Sequence, residues 1–395
     1  MAPQRIAIVG GGPAGAFAAA SLASAARSVV LFDEKLAWEK PCGGGLTDKA
    51  VARWSFLRDL PVQRNWITKC ELIAPSGAQV RFDLEKQIAI FSRLVLNGLL
   101  LERAANSGAK VVRERVLGVE RSGQEWTIRS STGSYSADFL VLASGARNPF
   151  RTIFSPHLGP ENYIVAVGYY IPGTSSILQV KFLEGLHGYI WIFPRSDHFS
   201  AGICGRMEGK STAELRRMLE AHLPEFGLSH HNGRFYAHIL PSLTPQGLRS
   251  LKLCGEKWAL IGDAAGLVDA ITGEGLYYAL RSAEILSESI LSGKPEAYAQ
   301  TAEAEILSEL ERAARIADRF YSGEWLGGSV VERMVLLTGS STRFRQLMRD
   351  LFSGAQEYSN LKQRVYRSLP KIAAEALVST LWRGDAQRSA IAAEV

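Results

Sequence analysis

The chain has 395 residues, of which 47% are hydrophobic and 21% charged, and its net charge is +6. This length exceeds one ordinary hydrophobic core and predicts two packed domains or one domain with an inserted sheet, while the composition excludes a disordered chain. The positive charge would suit an anionic partner, but no basic segment carries interleaved aromatic residues, which argues against nucleic-acid binding. The sequence enters an apolar strand at once without a leader-like segment, and this predicts a cytoplasmic protein.

The four cysteines form neither a metal-binding nor a disulfide pattern. No two of them have CxxC spacing, so we predict reduced thiols and no bound metal. No apolar run reaches the ~18 residues that a membrane-spanning helix needs. The cysteines are Cys42, Cys70, Cys204 and Cys254.

The first predicted unit is a strand, a helix and a second strand. Apolar residues predict strands over 6–9 and 29–32, and small helix-forming residues predict a helix over 14–26 between them. Pro13 suits the first turn of this helix, where no backbone N–H is needed. Such a unit is typical of a Rossmann-like domain.

Gly10, Gly12 and Gly15 form the pattern G-x-G-x-x-G between the first strand and the helix. Gly10 permits the tight turn, Gly12 lets backbone approach a pyrophosphate, and Gly15 lets the helix lie close to the strand. Asp33, at the end of the second strand, would accept hydrogen bonds from a ribose hydroxyl, and Glu34 would replace it if the register shifts by one. The motif predicts a dinucleotide site, with a structural turn as the alternative, and does not separate FAD from NAD.

The segment EKPCGGGL, residues 39–46, predicts an irregular loop. Pro41 and Gly43 to Gly45 suit a backbone that comes close to something large and flat, because a Cβ would collide there. Cys42 is then either a functional thiol beside that surface or a small buried residue that fills space.

Residues 189–193 and 199–204 predict a β-hairpin. Tyr189, Trp191 and Phe193 alternate along its first strand and therefore share one face. Three aromatic side chains on one face form either part of a core or the wall of an apolar pocket.

A second ligand-binding element is predicted far along the chain. Residues 258–261 predict a strand, Gly262-Asp263 a turn, and Gly273 to Gly275 the start of a helix over 276–291. A carboxylate after a strand, followed by a glycine-flanked helix start, is a second anion-binding element. A flavin, whose ribityl chain and ring extend beyond the first glycine turn, would use it, whereas a simple NAD dehydrogenase would not. The alternative is a loop followed by a packed helix.

The chain after residue 295 is predicted to be helical. Residues 297–321 have apolar positions three and four apart, and residues 325–352 predict an apolar helix, a glycine-serine break and a basic helix. These helices either cap a substrate cavity or rest their basic, amphipathic part on a membrane surface.

The segments KPCGGGL, GYIWIFP and GDAAGLVDAITGEGL occur together and in order, and with them the chain resembles the geranylgeranyl reductase family of FAD-dependent oxidoreductases. The resemblance covers about residues 5–291. It implies an α/β (α+β) fold with a discontinuous Rossmann-like FAD-binding domain, an inserted antiparallel-sheet substrate domain and a C-terminal helical region. These parts are assigned, respectively, to residues 1–60, 92–155 and 250–295, to residues 61–91 and 156–249, and to residues 296–395.

The resemblance also implies roles for individual residues. Asp263 would hold the ribityl chain, the helix start near Gly275 would face the pyrimidine end of the flavin, and Cys42 would lie beside the isoalloxazine ring as a proton donor. Tyr189 and Trp191 would be the aromatic pair exposed to substrate. Residues assigned to the cofactor are Gly10, Gly12, Pro13, Ala14, Gly15, Asp33, Glu34, Cys42, Gly43, Gly44, Arg93, Gly262, Asp263, Gly273, Gly275 and Leu276. For Arg93, which precedes a predicted helix, the alternative is a solvated side chain.

The implied activity is reduction of carbon–carbon double bonds in an isoprenoid or similarly apolar substrate. Ser144 replaces the family's aspartate after a strand, so the reductant, NADPH, NADH or a ferredoxin-type donor, stays open. The first alternative is a flavin-dependent monooxygenase or halogenase. Two departures argue against it: Gly266 and Ala270 stand where hydroxylases carry histidine and proline, and Tyr189 stands where halogenases carry tryptophan. The second alternative is a flavin-bearing lipid or quinone binding protein. No oligomeric state is predicted.

Overall fold

The computed structural model describes residues 3–59, 61–325 and 328–393, and its first layer is a six-stranded sheet. Four neighbouring strand pairs of this sheet are parallel, and the edge pair is antiparallel. The parallel strands are almost wholly apolar because helices cover them. The predicted Rossmann-like α/β class is confirmed. In sheet order the strands are Cys254–Gly255, Trp258–Leu260, Phe139–Leu142, Arg5–Val9, Ser28–Phe32 and Lys110–Val112.

The helix Pro13–Ser24 follows the first strand and packs against both Arg93–Asn106 and Leu276–Leu291. Most of its residues are alanine or glycine, so the helix approaches its neighbours closely, and its large buried side chains are Phe17 and Leu22. The helix ends two residues before the predicted residue 26, because Ala26 adopts a left-handed φ of 58°. The helix predicted over 276–291 has those bounds in the structure.

The second layer is an eight-stranded sheet, largely antiparallel as predicted. One pair among its described strands, Ile177–Lys181 with Asn65–Ile73, is parallel. The short edge strand Gly45–Leu46 pairs with Gln79–Ile90, so the end of the glycine-rich loop is part of this sheet. In sheet order the strands are Arg234–Pro241, Tyr163–Pro172, His198–Arg206, Ile190–Pro194, Ile177–Lys181, Asn65–Ile73, Gln79–Ile90 and Gly45–Leu46.

A three-stranded antiparallel sheet, which the sequence analysis did not predict, precedes the strand Phe139–Leu142. Trp126 from this sheet packs on Phe154, which in turn packs on Trp258 of the first sheet. The strands are Val116–Ser122, Glu125–Ser130 and Ser134–Ala137. Shorter or peripheral helical segments are Asp48–Arg53, Phe56–Asp59, Arg151–Phe154, Pro160–Asn162, Thr212–His222, Leu223–Phe226, His230–Asn232, Pro245–Arg249 and Gly262–Ala265.

The C-terminal helices pack on the second sheet. Val335 and Met348 share a hydrophobic cluster with Leu72, Phe82 and Val180 of that sheet, so this region caps the sheet, while membrane contact stays a prediction. Within the described ranges, no helix combines the length and apolar character needed to cross a bilayer. The segments are Ala297–Ala302, the π-helix Glu303–Leu307, Ser308–Ser322, Val330–Ser340, Thr342–Ser353 and Tyr358–Ala393, with the small hairpin Glu324–Trp325 and Gly328–Ser329.

Candidate functional site

A cavity of about 470 Å³ lies between the two sheets. It begins at the glycine turn of the first sheet, passes the loop 39–46 and follows one face of the second sheet to the C-terminal helices. Neighbouring strands of the second sheet supply alternate residues to its wall, because every second side chain of a strand points to the same face. Those wall residues include Ile164, Ala166, Leu178, Val180, Leu72 and Ile88.

The glycine turn leaves open space at one of its three glycines. A Cβ on Gly10, whose φ is 111°, would lie 2.4 Å from the carbonyl oxygen of Ala143, and a Cβ on Gly15 would lie 1.9 Å from that of Gly10. A Cβ on Gly12 would meet nothing within 4 Å, and Gly12 lines the cavity. The turn therefore packs tightly at Gly10 and Gly15 and exposes its backbone to the cavity at Gly12.

Asp33 lies at the end of the strand Ser28–Phe32 and lines the cavity. Its carboxylate accepts hydrogen bonds from the backbone N–H of Gly11 at 2.7 Å, of Lys35 at 2.8 Å and of Leu36 at 2.7 Å. Glu34 is not among the residues that line the cavity and lies 3.8 Å from Arg115. Asp33, not its neighbour, is therefore the carboxylate that faces the cavity.

The glycines of the loop 39–46 pack against the protein itself. A Cβ on Gly43 would lie 2.5 Å from the ring of Phe193, and one on Gly44, whose φ is 85°, would lie 2.1 Å from the carbonyl oxygen of Phe91. Gly43 is thus in close contact with an aromatic side chain of the second sheet, while contact of this loop with a flavin ring stays a prediction. Cys42 lines the cavity, with the N–H of Gly44 donating to its Sγ at 3.3 Å.

An ion pair between Arg195 and Glu39 anchors the loop 39–46. The guanidinium of Arg195, which is fully buried, bonds to the carboxylate of Glu39 and donates to the carbonyl oxygen of Cys42 at 2.7 Å. Burial alone would raise the pKa of Glu39, but the charge of Arg195 and hydrogen bonds from Ser92 and from the N–H of Arg93 hold that pKa below its usual value. The clamp links the loop to the start of the helix Arg93–Asn106.

Arg93 lines the cavity and is buried, so the expectation of a solvated side chain is wrong. Its Nη2 donates to Asn97 at 3.2 Å, while its Nε has no hydrogen-bond partner among the described residues. Ser144 Oγ and His238 Nε2, which line the same cavity, also lack described partners. Burial, together with the charge of Lys40, lowers the pKa of His238 to about 3, so its imidazole is neutral near pH 7.

Asp263 follows the strand Trp258–Leu260 and lies in the cavity wall. Its carboxylate pairs with Lys40 at 3.0 Å. Burial would raise the pKa of Asp263, but the charge and hydrogen bond of Lys40 outweigh burial and lower it, so the carboxylate stays ionised. Gly262 does not line the cavity; a Cβ on it would lie 3.0 Å from Ala14, so it lets the turn pack on the first helix.

Tyr189, Trp191 and Phe193 all line the cavity, as one face of a strand would allow. Trp191 is buried from solvent, with its Nε1 donating to Ser200 at 3.4 Å, whereas Tyr189 and Phe193 are half-buried. Contact of Tyr189 and Trp191 with substrate stays a prediction. The hydroxyl of Tyr189 donates to the carbonyl oxygen of Thr272, just before Gly273. The aromatic strand is thereby joined to the glycine-flanked helix start.

The far end of the cavity is apolar. Phe182 on the second sheet faces Phe320, Met334, Met348 and Phe352 from the C-terminal helices. The charged side chains among the described lining residues lie on the segments near the glycine turn, the loop 39–46 and the turn at Asp263; they are Asp33, Lys40, Arg93, Arg147, Asp263 and Glu274. The same cavity therefore has a polar end and an apolar end.

The structure brings together residues that lie far apart in the chain. Of those assigned to a cofactor, Gly15, Glu34 and Gly262 do not line the cavity, and the other thirteen do. The sequence analysis missed Glu39, Lys40, Arg195, His238 and Glu274. The first two stand inside EKPCGGGL, where charges beside bare backbone could have been noticed, but nothing in the spacing points to Arg195 or His238. Among the described residues, no group of side chains is arranged to hold a metal ion.

Comparison with known proteins places the chain among reductases. It is 27% identical over 363 residues to geranylgeranyl diphosphate reductase of Synechocystis, covering 85% of this chain and 86% of the relative. It is 29% identical over 320 residues to menaquinone reductase of Mycolicibacterium smegmatis, covering 73% of this chain and 76% of the relative. No protein-family model matches the chain.

Solved structures agree on the fold. A geranylgeranyl bacteriochlorophyll reductase-like protein from Thermoplasma acidophilum superposes with a TM-score of 0.76 at 19% identity, covering 95% of this chain and 98% of that one. A flavin-dependent brominase superposes with a TM-score of 0.69 at 15% identity, covering 93% and 99%. The architecture is thus shared by reductases and halogenases, and the sequence relatives decide between them. These sequence relatives confirm the predicted resemblance to the geranylgeranyl reductase family of FAD-dependent oxidoreductases.

Proposed function

We propose that this protein is an FAD-dependent reductase that saturates carbon–carbon double bonds of an isoprenoid or similarly apolar substrate. The observation that carries the proposal is one continuous cavity, whose polar end has the glycine turn and unpartnered polar groups and whose apolar end lies under the C-terminal helices. A dinucleotide needs the first kind of surroundings and a hydrocarbon chain needs the second. Both relatives described above carry names of reductases whose substrates bear isoprenoid chains.

The residues at the polar end fit FAD. Gly12 offers open space and free backbone for a pyrophosphate, at the start of the helix Pro13–Ser24. Asp33 is available to a ribose, and the buried Nε of Arg93 lacks the partner that an anionic or carbonyl group would supply. Asp263, now paired with Lys40, would receive the ribityl hydroxyls.

Bound FAD would supply the hydride, while the protein would orient the substrate, exclude water from the site and supply a proton. Phe182, Phe320 and Met348 exclude water from the hydrocarbon, which orients a substrate that has few polar handles. The Arg195 clamp fixes the loop that carries Cys42, whose thiol is one candidate proton donor. Ser144, in place of the family's aspartate, leaves NADPH, NADH and a ferredoxin-type protein as candidate donors of electrons.

Reconstitution with FAD followed by anaerobic turnover tests this proposal. The protein should bind FAD, become reduced by NADPH, NADH or dithionite, and return to the oxidised spectrum when geranylgeranyl diphosphate or menaquinone is added without oxygen. The product should gain two hydrogen atoms per reduced bond by mass spectrometry. Reduced protein that neither probe reoxidises would contradict the proposal, and a flavin reducible only by dithionite would favour a binding role or a ferredoxin-type donor.

The oxygen-dependent alternative has a structural argument against it. Gly266, which stands where hydroxylases carry histidine, has a left-handed φ of 82°, and a Cβ there would lie 3.0 Å from Leu243. A larger side chain would be strained in this backbone conformation, so the turn is shaped for glycine and presents no imidazole. Rapid oxygen consumption triggered by substrate would nevertheless establish an oxygenase.

Replacing Arg93 with methionine should weaken FAD binding by at least ~10-fold, because the buried guanidinium would no longer pair with the cofactor. Methionine keeps much of the side-chain volume, so the apo-protein should keep its melting temperature within a few degrees. Flavin fluorescence titration measures the first effect and differential scanning fluorimetry the second. Arg103, which lies on the same helix and stacks over Phe56, is the matched control for removal of a helix arginine. An unchanged affinity in Arg93→Met would show that Arg93 does not contact the cofactor.

A further inference from the structure

Glu274 is a cavity-lining carboxyl that the proposed roles above do not use. It lies between Gly273 and Gly275, directly before the helix Leu276–Leu291. The hydroxyl of Thr47, which follows the loop 39–46, donates to its Oε1 at 3.1 Å. No described cation forms an ion pair with it, and no described group bonds to its Oε2. The side chain therefore joins the glycine-rich loop to the helix start and keeps one oxygen available.

The groups around Glu274 disfavour its ionised form. Burial raises the pKa of Glu274 to about 7, and the charge of Asp269 adds to this, while the bond from Thr47 and the charge of Lys49 act in the opposite direction. The carboxylate of Asp269 accepts backbone hydrogen bonds from Ile271 and Thr272, on the same turn. Four tyrosines also surround this pair, and burial raises the pKa of each phenol, so they stay neutral; they are Tyr189, Tyr278, Tyr321 and Tyr358. Glu274 is thus held in a site where a neutral acid is stable close to neutral pH.

Cys42 is less well placed for the same duty. Its Sγ accepts the N–H of Gly44, and its carbonyl oxygen is held by Arg195 and Ser200, so the structure uses this residue to shape the loop. General acids work best when their pKa lies near the working pH, because a large fraction is then protonated and the group is still acidic enough to transfer its proton. Glu274 meets this condition, because it is half-buried, has a pKa raised to about 7 and keeps one oxygen unused.

We propose that Glu274 is the catalytic acid of the reduction, a role that rests on the proposed function. In the step, the π bond of the alkene breaks, one carbon receives the hydride that reduced FAD supplies, and the other receives the proton of the Glu274 carboxyl. The two electrons of the hydride that bound, reduced FAD would supply account for the two-electron reduction of the alkene. The carboxylate left behind regains its proton from solvent before the next turnover.

The first test measures the carboxyl itself and requires no turnover. FAD-reconstituted, oxidised protein with ¹³C-labelled glutamate carboxyls is titrated by NMR. One resonance should titrate near pH 7 and should be missing from Glu274→Gln. Absence of any glutamate carboxyl that titrates between about pH 6 and 8, or its persistence in the variant, would overturn the proposal.

The second test measures the chemical step. Wild-type protein reduced with dithionite should be reoxidised by geranylgeranyl diphosphate or menaquinone at a rate that is highest below pH 7 and falls about tenfold per pH unit above it, because the carboxyl ionises. Glu274→Gln should be at least ~100-fold slower at pH 6 and lose this pH dependence. Cys42→Ser, the matched variant, should keep the pH profile.

The outcomes separate the two proposals. Wild-type protein whose reduced flavin is reoxidised by neither probe contradicts the proposed function, whereas the NMR titration is judged without substrate. A Glu274→Gln rate within threefold of wild type, or loss of the pH profile in Cys42→Ser instead, would overturn the role of Glu274. FAD affinity is measured for both variants, so that rates are compared at full occupancy.

Discussion

Replacing Arg195 with methionine should lower the free energy of unfolding by about 3–5 kcal/mol, because the change leaves the buried carboxylate of Glu39 without its cation. Arg195 is fully buried, and its guanidinium contacts the Glu39 carboxylate, the carbonyl oxygen of Cys42 and the face of Tyr170. The loop 39–46 also loses an anchor, so the variant should bind FAD more weakly. Urea denaturation of the apo-protein measures the stability.

The double variant Arg195→Met with Glu39→Gln separates charge from packing. A neutral amide can still accept hydrogen bonds from Ser92 and from the N–H of Arg93, so we expect the double variant to recover most of the lost stability. Equal stability of the single and double variants would show that the cost arises from packing of the Arg195 side chain. Stability of Arg195→Met within about 1 kcal/mol of wild type would contradict the buried clamp altogether.

Replacing Gly12 with alanine should reduce FAD affinity by at least ~10-fold while changing the free energy of unfolding of the apo-protein by no more than about 1 kcal/mol. A Cβ at this position meets no protein atom within 4 Å, but it occupies the space through which a pyrophosphate approaches the backbone. Isothermal titration with FAD and urea denaturation measure the two quantities on the same preparation.

Gly15 supplies the matched control. A Cβ there would lie 1.9 Å from the carbonyl oxygen of Gly10, so Gly15→Ala should destabilise the apo-protein by about 3 kcal/mol because backbone must move. We therefore expect Gly12→Ala to weaken FAD binding and Gly15→Ala to lower the stability of the apo-protein. If Gly12→Ala keeps wild-type affinity, the cofactor does not lie over this turn.

The family resemblance rests on local motifs that the sequence displays directly. Gly10, Gly12 and Gly15 have fixed spacing because a turn between a strand and a helix is short, and the helix over 276–291 shows its period and its glycine start in a single segment. Such signals need no knowledge of the rest of the chain. The alternation of Tyr189, Trp191 and Phe193 likewise placed all three on the cavity face.

The alternation did not predict how exposed to solvent each of these three side chains is. Trp191 is buried because strands on both sides flank it and its indole reaches Ser200, whereas Phe193 lies over Gly43 near the end of its strand. Period two reports the face of a strand and carries no information about what covers that face. The three-stranded sheet around Trp126 was not predicted, although Trp126 and Ile128 alternate with polar residues in the strand Glu125–Ser130, because that strand has only these two apolar positions.

By itself, the sequence determined the strand–turn–helix units and the glycine motif between the first strand and helix, since each depends on residues within about twenty positions of one another. The family resemblance came from three such local motifs that occur in order along the chain. Only the tertiary structure decided that Arg195 holds the loop of Cys42, that Lys40 pairs with Asp263, and that Glu274 meets Thr47. These contacts join segments more than 150 residues apart, and side-chain burial and charge pairing act through space, where spacing along the chain has no meaning.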